Sequence, residues 1–197
     1  MSTVPKRRLT PQEYLAIERQ AQFKSEYYHG EMYAMAGARY SHNRVLANLL
    51  SKIGYQLDGK ECFMLPNDMR VRVSDKDSYF YPDAIIVCGK PEFEDNVFDT
   101  LLNPKVIFEV LSESTEQFDR GRKFDEYCKI ATLEEYVLVS QTKMQIQRFV
   151  RRSEDHWDLR IFKDDKSDFA LESVPVSIPL KAIYEGIDFT QVEAEAR

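Results

Sequence analysis

The chain has 197 residues, of which 43% are hydrophobic and 30% are charged, and it carries a formal net charge of −6. This composition is typical of a globular protein with a substantial core, and no apolar run approaches the roughly 18 residues that a membrane-spanning helix needs. The acidic balance gives no general attraction for nucleic acid, so any contact with DNA must come from local clusters of basic side chains. The first residues, MSTVPKRRLTPQEY, include no apolar signal segment, which predicts a cytoplasmic protein without a membrane partner.

The N-terminal part of the chain predicts a helix, a hairpin and a second helix. Thr10 opens the first helix, because a proline and a glutamate follow it at the spacing of a capping box. Polar and apolar residues alternate over 24–35 on either side of a His-Gly pair, which predicts a β-hairpin. Ser41 is predicted to cap the second, longer helix, and Gly59 to end it.

Strands dominate the rest of the chain. We predict strands over 62–65, 69–73, 80–88, 105–111 and 136–139, a helix over 115–131, and a hairpin over 144–151 and 157–162. The tail is predicted to form an edge strand or a covering segment. Two of these strands are nearly unbroken apolar runs, as is typical of strands covered on both faces. The order of elements predicts an α/β fold with a mixed central β-sheet flanked by helices, an N-terminal helix and hairpin, and a C-terminal β-hairpin. We expect one domain over residues 1–197, with its core at about 10–162, because no linker or repeat interrupts the chain.

Several kinds of functional site are excluded by what the chain lacks. Its 7 glycines never form the GxGxxG motif of a dinucleotide-binding loop. Cys62, Cys88 and Cys128 are widely spaced within apolar runs, so we expect buried thiols in place of a disulfide framework or a zinc site. The 3 histidines lack the paired spacing of a zinc enzyme. Any catalytic metal must then be bound mainly by oxygen ligands.

Two carboxylates occupy unusual places in the predicted strands. Asp83 begins the apolar run of one strand, and Glu109 lies near the end of another. If these strands pair antiparallel, both acids fall at the same end of the pair, on faces shared with aliphatic residues. A buried carboxylate without a partner is costly, and a magnesium-type ion bound by two carboxylates and waters would remove that cost. The alternative is structural: Glu109 pairs with an arginine, and Asp83 caps a strand after a proline.

Longer motifs surround these two acids. The run YPDAIIV at 81–87 is followed by FEVLSEST at 108–115 and DRGRKFDEY at 119–127, and the chain also contains SEYYHGEMYAM at 25–35, SHN at 41–43 and EYVLV at 135–139. In this order the motifs, which span roughly residues 9–140, resemble the PD-(D/E)XK nuclease superfamily. More narrowly, they resemble the Uma family of restriction-endonuclease-like proteins.

The resemblance implies a metal site and a reaction. Asp83 and Glu109 match the metal-binding acids of the superfamily, and the backbone carbonyl of Val110 matches a further ligand. Glu26 matches an acid that an early element often adds, and its alternative role is a hairpin residue that faces solvent or pairs with a nearby base. The implied cofactor is Mg²⁺ or Mn²⁺, and the implied reaction is hydrolysis of DNA phosphodiester bonds by an endonuclease.

The chain departs from the superfamily pattern at the catalytic lysine. Leu111 stands where that pattern has lysine, and a leucine cannot orient water or stabilise charge on a phosphate. Some superfamily members carry the lysine on a neighbouring helix, which makes Lys123 the candidate substitute. The alternative is an ordinary surface ion pair between Asp119 and Lys123, at the i and i+4 positions of the predicted helix.

Contacts with DNA are expected from basic side chains near the two long helices. These candidates are Arg39, His42 and Arg44 near the first helix, and Arg120, Arg122 and Lys129 around the second. For His42 the alternative is a hydrogen-bonded structural residue near a helix start. A homodimer is expected by analogy, because cutting a duplex requires two strand cleavages. The alternatives to an endonuclease are an inactive nuclease fold that binds DNA or a protein, and a small metal-dependent hydrolase of nucleotides.

Overall fold

The computed structural model describes residues 8–73, 78–112 and 115–195. Its helices are α1 (Pro11–Glu18), α2 (Tyr40–Leu57), α3 (Glu116–Phe118), α4 (Phe124–Tyr127), α5 (Leu180–Ile183) and α6 (Phe189–Glu195), and a π-helical turn (Asp119–Lys123) joins α3 to α4. Its strands are β1 (Ser25–Tyr28), β2 (Glu31–Ala34), β3 (Cys62–Pro66), β4 (Arg70–Arg72), β5 (Ser78–Phe80), β6 (Ala84–Cys88), β7 (Thr100–Leu101), β8 (Val106–Leu111), β9 (Glu135–Ser140), β10 (Ile146–Ser153), β11 (His156–Phe162), β12 (Asp168–Ala170) and β13 (Ser177–Pro179).

The strands form two larger sheets and a small one. The six-stranded sheet has the order β11-β10-β9-β8-β6-β3, the five-stranded sheet has the order β2-β1-β5-β4-β7, and β12 pairs with β13. Paired strands are antiparallel, except that β8 runs parallel to β9 and β4 runs parallel to β7. The six-stranded sheet is the predicted mixed central sheet, and the α/β fold class is confirmed.

Separate hydrophobic clusters cover the two faces of the central sheet. On one face α2 presents Val45 and Leu49, one helical turn apart, to a cluster that includes Ile86 of β6. On the other face Ile85 and Ile107 belong to a cluster that includes residues of the five-stranded sheet and α4. Successive residues of a strand point to opposite faces, so every second residue of β6 and β8 faces the second cluster.

The predicted N-terminal helix and hairpin are confirmed. The Thr10 hydroxyl accepts a hydrogen bond from the backbone N–H of Glu13 at 3.2 Å, and the Glu13 carboxylate accepts one from the backbone N–H of Thr10 at 2.8 Å. This is the predicted capping box. The hairpin turns at His29 and Gly30, whose φ angles are 48° and 90°. Positive φ angles at both central residues are typical of a tight two-residue turn.

Helix α2 begins two residues earlier than predicted, with Arg39 and not Ser41 at its N-cap. Its first residue is Tyr40, so Ser41 lies inside the helix and is not its cap. The Ser41 hydroxyl donates to the Gln141 side chain at 3.2 Å. The helix ends at Leu57, and Gly59 follows with a φ of 70°, as expected of a glycine at a helix stop. Neither α2 nor any other helix in the described part of the chain is long and apolar enough to cross a membrane.

The prediction of one continuous strand over 80–88 is wrong. Strand β5 ends at Phe80 in the five-stranded sheet, and β6 begins at Ala84 in the six-stranded sheet. Pro82 lies between them and has no N–H to donate to a strand ladder, which explains the break. Asp83 therefore lies where the chain passes from one sheet to the other.

The helix predicted over 115–131 is shorter and irregular. Helical structure begins at Glu116 and ends at Tyr127, and its middle is the π-helical turn. A π-helical turn contains more residues than an α-helical turn, so side chains beyond it point in a different direction from those of a regular helix. The C-terminal tail forms β12, β13, α5 and α6. Val176, Ile178 and Leu180 belong to the hydrophobic cluster beside α2, as expected of a strand or covering segment.

Two of the three cysteines form a disulfide, so the prediction of free thiols is wrong for Cys62 and Cys88. Cys62 begins β3 and Cys88 ends β6, and the antiparallel register of these strands places the two residues opposite each other with their Cα atoms 3.9 Å apart. Cys128 is a free, half-buried thiol, and burial raises its pKa to about 11.

Candidate functional site

Asp83 and Glu109 lie next to each other where the two sheets meet. Ala84 of β6 pairs with Phe108 of β8, so the following position outward on each strand brings Asp83 beside Glu109. The backbone N–H of Val110 donates to Oδ2 of Asp83 at 2.7 Å. The side chain of Glu109 is 5% exposed and that of Asp83 is 16% exposed. The two carboxylates thus lie together at one end of the strand pair, with little exposure to solvent.

Lys123 lies among the carboxylates. Its Nζ is 2.8 Å from Oε1 of Glu109, 2.9 Å from Oε1 of Glu26 and 3.7 Å from Oδ1 of Asp119. The side chains of Asp119 and Lys123 are both buried, so this pair is not the surface pair that the alternative predicts. The π-helical turn supplies both residues, β8 supplies Glu109, and β1 supplies Glu26. Elements from distant parts of the chain therefore converge on one ammonium group.

Carboxylates outnumber cationic groups in this cluster. Burial raises the pKa of Glu109 well above its ordinary value, against the opposing charge of Lys123 and with a contribution from the neighbouring carboxylates. Burial also raises the pKa of Asp119, again against Lys123. For Lys123 burial favours the neutral amine, yet Glu109 and the other nearby carboxylates outweigh burial and raise the pKa. The cluster holds a charged lysine and a surplus of acids, which attracts a further cation.

Two additional side chains contact the acids. The Tyr127 hydroxyl donates to Oε1 of Glu109 at 3.0 Å. Nε2 of His42 lies 3.2 Å from Oδ2 of Asp83, and this histidine is 9% exposed. Within the described residues, Nδ1 of His42 is buried without a hydrogen-bond partner. The sequence placed Tyr127 only on the apolar face of a helix, because a tyrosine there gives no sign of what its hydroxyl contacts.

A buried network lies behind Glu26. The backbone N–H of Tyr81 donates to Oε1 of Glu26 at 3.2 Å. The Tyr81 hydroxyl accepts from Arg70 at 2.9 Å and donates to Glu18 at 3.0 Å. Arg70 is almost fully buried and pairs with Asp99 at 2.9 Å. Sequence reasoning missed these residues because each partner is distant along the chain, and together they fix the approach of β5 to the site.

Replacing Asp99 by asparagine is expected to lower the free energy of unfolding by about 2 kcal/mol at pH 7, because the buried Arg70 loses its anionic partner. The hydrogen bond from Arg19, with help from Arg70, holds the pKa of Asp99 well below its ordinary value. Such a carboxylate stabilises the fold above its unfolded pKa of about 3.9, and the contribution is lost as the pH falls through the folded pKa. Denaturant titrations should therefore show the full loss at pH 7 and a shrinking one below about pH 4.

Asp95→Asn is the matched control for this prediction. Asp95 pairs with the same Arg19, but its side chain is 38% exposed and the pair lies at the surface. Its replacement should cost less than about 0.5 kcal/mol. Equal losses for Asp95→Asn and Asp99→Asn would show that the pairing of Arg70 does not carry the effect.

The donor set of the site fits a hard divalent cation. Asp83 and Glu109 offer carboxylate oxygens, and Val110, the next residue of β8, offers a backbone carbonyl. Mg²⁺ prefers such oxygen ligands, keeps several waters and is commonly held by one or two carboxylates. In the part of the chain that the structure describes, no three His, Cys, Asp or Glu side chains are arranged to hold a metal ion by themselves. A cation at this site would therefore depend on the two acids together with water.

The basic residues predicted to contact DNA fall into two groups. Arg39 and Arg122 are exposed, the first at the N-cap of α2 and the second beside Lys123 in the chain. The others contact oxygen atoms of the chain itself: Arg44 the Glu185 carbonyl at 3.1 Å, Arg120 the Glu116 carboxylate at 2.7 Å, and Lys129 the Glu126 carboxylate at 2.7 Å. Arg39 lies three residues before His42 in the sequence, and Arg122 directly precedes Lys123.

Comparison with known proteins places the chain among nuclease-like sequences and folds. The family model Uma2, described as "Putative restriction endonuclease", matches residues 11–181. The uncharacterized protein sll1609 of Synechocystis sp. is 36% identical over 149 residues, which are 76% of this chain and 84% of that protein. The uncharacterized protein slr1290 of the same organism is 32% identical over 188 residues, which are 95% of this chain and 97% of that protein.

The fold is also similar to that of a solved structure. A crystal structure from Anabaena variabilis, described as "a putative nuclease belonging to DUF820", has a TM-score of 0.75 to this chain. The match covers 89% of this chain and 97% of that chain at 15% sequence identity. At this level of identity the likeness shows a shared fold.

Proposed function

This chain belongs to the Uma2 family, described as putative restriction endonucleases, and on that premise we propose that it is a metal-dependent endonuclease that hydrolyses DNA phosphodiester bonds. The observation that carries the proposal is the convergence of Asp83, Glu109 and Lys123 at the junction of the two sheets. Two acids and a lysine are the residue types that the resemblance to PD-(D/E)XK nucleases implies. Here the lysine comes from the π-helical turn, while Leu111 occupies the usual position on the strand.

In this proposal Asp83 and Glu109 would hold Mg²⁺ or Mn²⁺ with the Val110 carbonyl as a further ligand. Glu26 would join them only by giving up its contacts with Lys123 and the Tyr81 N–H. When bound, such an ion lowers the pKa of a coordinated water and neutralises charge that develops on the phosphate. The surplus of buried carboxylates supports this assignment, because a dication removes the cost of holding several acids together.

The remaining groups of the site act through position and charge. Lys123 carries an ammonium that is able to donate to the attacking water or to a phosphate oxygen. Tyr127 orients Glu109 through its hydroxyl, and Nε2 of His42 contacts the carboxylate of Asp83. Each acid is thus held by a neutral or cationic donor before any substrate arrives, which reduces the reorganisation that the reaction requires.

DNA is the proposed partner, and its backbone contacts would come from Arg39, Arg44, Arg120, Arg122 and Lys129. Arg44, Arg120 and Lys129 would have to exchange the partners that they contact in the chain. Because the net charge is −6, we expect modest affinity that falls with added salt. A homodimer would supply a second site for the second strand of a duplex.

One observation favours the alternative of an inactive nuclease fold. Nζ of Lys123 lies within 2.9 Å of both Glu109 and Glu26, so the ammonium already compensates part of their charge. Pairing with this ammonium reduces the need of the acids for a metal ion, and Leu111 stands where the strand lysine is usual. In that case the protein binds DNA or another protein without cleaving a bond.

Removal of divalent metal is expected to stop DNA cleavage, and addition of Mg²⁺ or Mn²⁺ is expected to restore it, because the acids alone offer no positive charge to the phosphate. Protein treated with a chelator is incubated with plasmid and with single-stranded DNA, before and after metal is added back. Nicked, linear and shortened products are separated on gels. The activity should follow the protein peak through size-exclusion fractions, which distinguishes it from a contaminating nuclease. Absence of cleavage with either metal on either DNA would favour the inactive alternative.

A further inference from the structure

Tyr33 is an exposed aromatic residue beside the candidate site. It lies on β2 directly opposite Glu26 of β1. Opposed residues of an antiparallel pair project from the same face, so the Tyr33 side chain adjoins that of Glu26. Glu26 in turn contacts Lys123. Tyr33 is 48% exposed, so much of its ring is open to solvent at the edge of the acid cluster.

The Tyr33 ring is held at its polar end and has a cation nearby. Its hydroxyl donates to Oε2 of Glu31 at 3.0 Å, and this hydrogen bond is the main cause of the raised pKa of Tyr33. Arg122 is exposed and directly precedes Lys123, whose Nζ contacts Glu26 opposite Tyr33. An oriented ring and a guanidinium on neighbouring elements are a combination that binds a nucleic-acid base and its adjoining phosphate.

We propose that Tyr33 stacks on a base next to the scissile phosphate, and that the substrate is single-stranded DNA or DNA with an unpaired nucleotide at that point. This inference rests on the proposed nuclease function and adds to it the class of DNA. Arg122 contacts the phosphate beside the stacked base. Tyr33 is therefore a binding residue that selects the substrate, and it takes no part in bond cleavage.

The requirement for an unpaired base follows from the place of Tyr33. A base within a duplex is covered on both faces by its neighbours and is paired at its edge, so a side chain stacks on it only after it leaves the helix. A base in a single strand has a free face and meets an aromatic side chain without that cost. Because Tyr33 adjoins Glu26, the stacked base lies close to the phosphate that the acids would act on.

The local charge favours stacking over phosphate contacts as the source of affinity. Glu26 and Glu31 flank Tyr33 on the same face of the hairpin, and the whole chain carries a net charge of −6. The excess of negative charge on the chain disfavours contact with the DNA backbone, whereas the face of an uncharged base is not repelled. A neutral stacking contact therefore provides attraction at a position where a row of phosphate contacts is unfavourable.

Tyr33→Ala is expected to weaken the binding of a single-stranded oligonucleotide by about 10-fold, the order of effect that removal of a stacking side chain produces. Binding of a blunt duplex of the same sequence should stay within about 2-fold, because no base in it is free to stack. Tyr33→Phe should bind the single strand as wild type does, since stacking needs the ring and not the hydroxyl. Fluorescence anisotropy of labelled oligonucleotides in the presence of a chelator measures each affinity without cleavage.

Tyr55→Ala is the matched control. Tyr55 is 84% exposed and lies in the last turns of α2, about 20 Å along the helix axis from His42. Its removal should leave both affinities unchanged. Unchanged duplex binding by Tyr33→Ala also shows that this variant is folded.

The results separate this inference from the nuclease proposal. A loss confined to single-stranded DNA in Tyr33→Ala, with Tyr33→Phe and Tyr55→Ala unaffected, supports stacking. The inference is overturned by an unchanged affinity of Tyr33→Ala, by equal losses on both kinds of DNA, or by an equal loss in Tyr33→Phe. In those cases metal-dependent cleavage by the wild type keeps the nuclease proposal in place. A wild-type protein that neither binds nor cleaves DNA removes both.

Discussion

Replacement of Glu109 by glutamine, or of Asp83 by asparagine, is expected to slow metal-dependent DNA cleavage by about 10³-fold or more. Each change keeps the size of the side chain and removes the negative charge that is proposed to hold the cation. A 10³-fold loss corresponds to about 4 kcal/mol of transition-state stabilisation, which is the scale expected of a metal ion that neutralises developing charge. Initial rates on an end-labelled DNA strand at saturating Mg²⁺ measure the loss.

The same substitutions should leave the protein folded. Glutamine at position 109 still accepts from the Tyr127 hydroxyl, and asparagine at position 83 still accepts from the N–H of Val110. Lys123 loses the charge of Glu109 in the first variant but keeps Glu26 and Asp119, so the loss of stability should be smaller than in Lys123→Met. Asp125→Asn is the matched control, because Asp125 is exposed on α4 in the same helical segment, and this variant should cleave at the wild-type rate. A Glu109→Gln variant that keeps more than about a tenth of the wild-type rate would remove Glu109 from the proposed metal site.

The proximity of Asp83 and Glu109 was predictable because it depends on local patterns. Long apolar runs identify β6 and β8, and the alternation of side chains then assigns each acid to a face. The two acids lie side by side only if the two strands pair antiparallel. Strands β6 and β8 do so, with Ala84 opposite Phe108. The fold class was predictable for the same reason, since apolar runs and helical periodicity are both visible without tertiary contacts.

The features that sequence reasoning missed depend on contacts between distant segments. The register of β3 against β6 brings Cys62 opposite Cys88, and no local pattern reports a register. Arg44 donates to the Glu185 carbonyl of the tail, whereas a basic residue on a helix gives no sign of what covers it. A proline such as Pro82 is a sign that a strand is interrupted. The apolar residues on either side of it nevertheless led to the prediction of one continuous strand.

The sequence left the place of Lys123 open between two alternatives. A lysine four residues after Asp119 is equally typical of an exposed helical pair and of a side chain that turns inward. The structure favours the inward position, where Nζ contacts Glu109 and Glu26. The π-helical turn that carries both residues is an irregularity of the helix, and a periodic pattern does not predict it.

Lys123→Met is expected to slow DNA cleavage by about 10²-fold or more, the scale of losing one charged donor near the reacting phosphate. It should also lower the free energy of unfolding by about 3 kcal/mol at pH 7, because a buried ion pair loses one partner. Methionine fills a similar volume without charge, so Glu109, Glu26 and Asp119 remain together without the ammonium that lies within 3.7 Å of each. Cleavage rates and urea titrations measure the two effects separately.

The stability loss in Lys123→Met should depend on pH. Burial raises the pKa of Glu109 and of Asp119 against the opposing charge of Lys123, so removal of that charge raises both values further. A carboxyl group whose folded pKa lies above its unfolded value of about 4 stabilises the fold below that value, and the contribution is lost as the pH rises through the folded pKa. The difference from wild type should therefore be widest at pH 7 and should narrow toward about pH 4.

A surface lysine provides the matched control for charge loss. Lys52 on α2 pairs with Glu185, whose side chain is 65% exposed, and Lys52→Met should cost less than about 0.5 kcal/mol at either pH. A loss in Lys123→Met that stays constant from pH 7 to pH 4 would mean that Lys123 stabilises the fold by packing. A loss that disappears at pH 4 would mean that the charge of Lys123 holds the carboxylates together. The same charge is proposed to act on the phosphate.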